Sequence, residues 1–162
     1  MMKLNFREKF SAFVILSIGI IYLLLYIISF FQNESSLISE SDNAISINKT
    51  AFLENLRIWI NILFPLIGGM LMFKIKQAGW VISMGILPVF LMIVGGLIAT
   101  VNALELFDLT AYVLYSGALI LVLAFLFMLF PSTLRKFKIG LSAGIISLIL
   151  AAINALIFFF LA

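Results

Sequence analysis

Five stretches without a charged residue dominate the chain, at 10–33, 58–73, 77–104, 109–134 and 139–162. Apolar side chains fall on every side of a helix drawn through any of them, with no polar stripe to face water. Nor do they alternate with polar ones over about 10 residues, as the strands of a membrane barrel would. About 20 such residues cover the hydrocarbon of a bilayer as a helix, and a helix pairs its own backbone groups where no water can. The pattern predicts an all-α, polytopic integral membrane protein. A single domain over 1–162 would carry transmembrane helices near 10–31, 56–73, 80–101, 109–130 and 140–161, with one outer loop at 32–55.

Composition agrees: the 162 residues are 65% hydrophobic and 10% charged, against about 45–50% apolar in soluble domains. Charge placement adds a direction. Lys3, Arg7, Lys9, Lys74, Lys76, Arg135, Lys136 and Lys138 fall on one side if each run crosses once, leaving Lys49 and Arg57 on the other. Six of the seven acids accompany that second pair, and only Glu8 sits among the bases. Basic loops stay in the cytoplasm, so the N-terminus is expected inside and the C-terminus outside. The first run follows a basic start as a signal peptide does, but it exceeds the usual 7–15 apolar residues and no A-x-A-like site follows. It reads as an uncleaved anchor, with Tyr22, Tyr26, Phe30 and Phe31 gathered at its outer end.

The 32–55 loop is rich in Ser, Asn and acids and reads as a tether. Thr50 is placed to cap the next helix, with Glu54 in its first turn. Asn48-Lys49-Thr50 matches a glycosylation acceptor, a pattern common by chance. Asn102, Glu105 and Asp108 recur every three residues and read as a solvated turn, with a loose cation site as the alternative. The second run is short, so Arg57 and Lys74 must reach toward opposite interfaces.

Three groups of residues are candidates for function. The first is a kink or path at Asn61, Pro65, Gly68, Gly69, Ser83, Gly85 and Pro88. Pro65 leaves the Asn61 carbonyl without its helical donor, and Pro88 does the same to Met84. Paired interrupted helices at mid-membrane mark transporter sites, although isolated prolines also bend membrane helices routinely. No charge lies at that depth, and ion or proton paths ordinarily use one. The second is a packing face on the last helix. Ala143, Ser147, Ala151 and Ala155 repeat every four residues beside a Gly140-x-x-x-Gly144 pair, with Asn154 adjacent. Small residues let helices approach closely in lipid, so this face seeks a partner in the chain or in another subunit. The third is a headgroup contact at Arg135, Lys136 and Lys138. Lys74-x-Lys76 before Gly79 and Lys136-x-Lys138 before Gly140 also hint at a duplicated two-helix unit.

With no histidine and no cysteine, the chain lacks disulfides, thiolate or imidazole metal ligands and the commonest neutral-pH base. Ser83, Ser116, Ser142 and Ser147 have no histidine to act as base, every lysine lies in a flank or loop, and no Gly-rich phosphate loop occurs. The expectation is therefore no catalytic residue, no metal, no cofactor and no nucleic-acid partner. The lipid bilayer and a homo- or hetero-oligomer are the expected partners, in a prokaryotic cytoplasmic membrane. The expected function is a small structural or accessory subunit acting through helix–helix association, with a small transporter or channel near Pro65 and Pro88 as the alternative.

Overall fold

The structure, a computed structural model, describes residues 4–33, 49–103 and 109–159. Among them every regular element is helical: α1 (Phe6–Asn33), α2 (Lys49–Phe73), α3 (Gln77–Ala103), α4 (Leu109–Leu129), α5 (Pro131–Lys136) and α6 (Leu141–Phe159). Five helices are long and apolar enough to cross a membrane, and α5 is a single short turn between two of them. Most of the expected outer loop, the glycosylation pattern before Lys49, and Glu105 and Asp108 of the expected turn lie outside the described residues.

Helix ends differ from the expectation where polar residues extend an apolar run. α1 starts at Phe6 rather than at 10, because Asn5 and Glu8 form half of a capping box. The Asn5 backbone N–H donates to Glu8 Oε2 at 2.6 Å. α2 starts at Lys49 rather than at 56, and α3 at Gln77 rather than at 80. α4 ends at Leu129, just before Phe130 and Pro131 and within one residue of the expected end. That proline then opens α5 inside what reads in sequence as a plain turn, with Phe130 extended (φ −60°, ψ 137°) as the break.

The two basic turns share a construction. Ile75 (φ 53°) and Lys138 (φ 55°) both stand in the left-handed region. The next N–H, from Lys76 or Ile139, reaches back five residues to the carbonyl of Leu71 or Leu134, at 2.9 Å each. This is the closure of a Schellman motif with a non-glycine residue at the pivot, a conformation costing about 1–2 kcal/mol. Gln77 Nε2 donates to the Lys138 carbonyl at 3.2 Å and ties the two turns together.

Neighbouring helices pack α1 on α2, α2 on α3, α3 on α4 and α4 back on α1, closing a four-helix ring. α6 lies outside it, packed along α3 and touching α2 only slightly. Since α2 ends and α6 begins at the basic turns, these two run antiparallel, whereas α3 and α6 run parallel. The core is densest toward the basic end, where Ala12, Ile15, Met72, Trp80, Ala124 and Met128 are buried and Phe137 folds in beneath α5. Gly79 permits the tight α2–α3 contact there. A Cβ on it would overlap the backbone N of Met72 and lie 2.6 Å from the carbonyl carbon of Leu71.

Candidate functional site: a buried polar seam and a basic-end clasp

Two polar constellations are embedded in this apolar bundle. The first runs along the junction of α2, α3 and α6. Its register follows from contacts: the Arg57 guanidinium lies 5.2 Å from the Phe158 ring centre. One helical turn further in on each antiparallel helix stand Asn61 and Asn154, both buried. Two turns further along the same face of α2, a Cβ on Gly68 would come 2.9 Å from Ser83 Oγ, so α2 and α3 approach with no room for a methyl. Ser83 is fully buried. Ser147, buried on α6, donates to the Gly144 carbonyl at 2.8 Å. Asn61 Oδ1, Ser83 Oγ and Asn154 Nδ2 are buried without a hydrogen-bond partner. Such a group costs about 1–3 kcal/mol.

This arrangement divides the sequence-predicted path residues. Gly68 and Ser83 meet across the α2–α3 interface, and Asn61 and Pro65 are buried on α2, Pro65 fully. Gly69 faces α1 instead, its would-be Cβ 3.0 Å from Leu16 Cβ. Gly85 faces α6, 2.8 Å from Leu150 Cβ, and Pro88 is half-buried. Both α2 and α3 continue as helix through their prolines. The 68–83 and 72–79 contacts place Pro65 opposite Ile86, so the two prolines lie about 3 Å apart in depth.

The predicted packing face also divides. Ala143 and Ser147 are buried and Ala151 half-buried, on the side where α6 meets α3, and Ala155 is half-buried. Gly140 is exposed and Gly144 half-buried, and a Cβ on either meets nothing within 4 Å. The four-residue repeat is thus occupied within the chain, while the glycine pair keeps an open flank.

The second constellation clasps the basic end. Glu8 is buried, and its Oε2 lies 2.6 Å from Lys136 Nζ, joining α1 to α5. The Arg7 guanidinium covers the Phe130 ring at 4.2 Å. Ser11 Oγ lies 3.0 Å from the Ala124 carbonyl, and Trp80 Nε1 donates to the Met128 carbonyl at 3.0 Å. Thr133 Oγ1 donates to the Phe127 carbonyl and locks α5 against the end of α4. Of the three predicted headgroup residues, Arg135 and Lys138 are exposed, while Lys136 turns inward to the ion pair. The apolar runs give no hint of this clasp. Its signals were present: Glu8 is the one acid among eight bases, and Asn5-x-x-Glu8 is a capping-box spacing.

Among the described residues no cluster of three or more acidic side chains is placed to hold a metal ion. No known protein family, curated protein or solved structure matches the chain.

Proposed function

We propose that the chain is a small multi-pass membrane subunit that works by packing against helices of a larger assembly. Its basic turns would face the cytoplasm and its C-terminus the outside, in a prokaryotic cytoplasmic membrane. The sorting of bases and acids to opposite ends supports the orientation. Usage rich in Ile, Phe, Lys and Asn, with lean loops, supports the setting.

One observation carries the proposal: Gly140 and Gly144 present a GxxxG edge with nothing opposite. Gly144 lies about 40° around α6 from Phe158 at 100° per residue, on the side of α2. α2 and α6 meet near Arg57 and Phe158, and at Gly144 a helix from another chain has room to approach. Gly144→Leu fills that flank without entering the α3 contact. Native mass measurement of the complex from mild detergent or nanodiscs should show loss of the assembled species, and an unchanged mass overturns the proposal. Ser147→Leu serves as contrast: Ser147 is buried within the chain, so its enlargement should lower fold stability instead.

A second reading, a transporter or channel, draws support from the unpartnered polar atoms of Asn61, Ser83 and Asn154. Its test is solute flux in liposomes that falls with Asn61→Leu. The tight Gly68–Ser83 approach leaves the seam closed in this conformation, which is why it stands second.

A further inference from the structure

Between α1 and α4 the ring opens sideways. The two helices are tied at the basic end, by Ser11 on Ala124 at 3.0 Å and by the Phe10 and Phe127 rings at 5.6 Å. Past Val14 and Leu121 a cavity of about 380 Å³ separates them. Ser17 and Ile21 line one wall, Gly117 and Ile120 the other, and Val94 of α3 contributes to the lining between them. Counting from the Ser11–Ala124 contact, Ser17 and Gly117 reach nearly the same depth. A Cβ on Gly117 would meet nothing within 4 Å. Among the described residues the only polar side chain on the lining is the Ser17 hydroxyl.

Size decides what fits. The wall from Phe13 to Ile21 is eight residues long, about 12 Å at 1.5 Å per residue. Even all the empty space in the cleft, about 810 Å³ with its open mouth included, divided by that height gives a mean cross-section of only about 70 Å². A helix 10–12 Å across needs about 80–110 Å², so a membrane helix from a second copy or a partner cannot enter. A notch this small also offers far less than the roughly 800 Å² per partner that stable association uses. A single hydrocarbon chain does fit. A free fatty acid buried whole would carry its carboxylate into a lining that has no Lys or Arg, at a high desolvation cost. A bilayer lipid leaves its headgroup at the interface and inserts only its tail. Val113, at the end of the lining away from the basic turns, lies four residues, about 6 Å, from the start of α4, within reach of a tail hanging from that surface.

We infer that the α1–α4 cleft holds one acyl chain of a bilayer lipid, drawn from the leaflet opposite the basic turns. The inference rests on the helices crossing a membrane and is independent of any subunit contact at Gly144. The test uses the full chain in nanodiscs of phosphatidylcholine carrying a diazirine in mid-chain, with photolabelled positions mapped by mass spectrometry. Label should be enriched at Ile18, Gly117 and Leu121 about fivefold over Leu148, an openly exposed leucine on α6, the ratio set by about 1 kcal/mol of preference. Ser17→Leu with Gly117→Leu should abolish that enrichment and leave Leu148 labelling unchanged; Gly117→Val alone, a milder filling, should lower it.

Label at Leu148 without enrichment in the cleft overturns the acyl site alone. Enrichment that persists in both filled variants does the same. Enrichment from a free diazirine fatty acid but not from the lipid overturns the assigned source. No label at either place overturns membrane insertion and this inference with it.

Discussion

Removing either partner of the Glu8–Lys136 pair tests how the basic end is held. At 2.6 Å and an effective dielectric of about 20, the raw attraction is about 6 kcal/mol, much of it offset by the desolvation of two charges. The partners differ in access to water: the Glu8 side chain is 1% exposed and that of Lys136 is 14%. Lys136→Met strands a buried carboxylate with only the Asn5 N–H to stabilise it, and should cost about 3–5 kcal/mol. Glu8→Gln keeps a side-chain acceptor for the α1 cap, and Lys136 can swing toward water, so about 1–2 kcal/mol is expected. The double variant should be more stable than the sum of single losses implies, giving a coupling of about 2 kcal/mol. Reversible unfolding in mixed micelles, followed by Trp80 fluorescence, measures all four forms. Equal costs for the two single variants, or a coupling below about 0.5 kcal/mol, would refute a clasp governed by a buried, paired charge.

The same unfolding assay checks four further expectations. Gly79→Ala should lose about 2–3 kcal/mol or more, because its Cβ lands on the α2 backbone rather than on a movable side chain. Lys138→Gly should gain about 0.5–1 kcal/mol, since relief of the left-handed strain exceeds glycine's extra unfolded-state entropy. Asn154→Leu should gain about 1–2 kcal/mol by removing a buried donor without an acceptor; a loss would mean that the amide is paired. Trp80→Phe removes the fluorescent reporter, so its unfolding is followed by circular dichroism; it should lose about 1 kcal/mol with its bond to the Met128 carbonyl, plus a packing loss.

The five apolar helices are legible in the sequence because hydrocarbon tolerates so few charges that uninterrupted runs almost define them. Their ends are less legible, since polar residues such as Asn5, Glu8 and Gln77 continue a helix once a cap or a tertiary bond holds them. α5 is hidden for the same reason: Pro131 stops one helix and starts another, and only the fold determines whether it does both. The small-residue repeat at Ala143, Ser147 and Ala151 signals a helix contact without naming the neighbour, because any apolar helix in lipid satisfies the pattern equally. Structure assigns that face to α3 and separates it from Gly140 and Gly144. The Glu8–Lys136 pair, 128 residues apart, leaves only a compositional trace.

The first four long helices close on one another without α6. A membrane-insertion machinery releasing segments in chain order would have a finished palisade in place before the last one arrives. What that latecomer carries inward matters as much as what it grips. Peeled away, it would expose its own Ser147 and Asn154, both buried in the bundle, to an acyl phase that cannot solvate them. Inside a bilayer the final helix would thus be held partly by its own polarity.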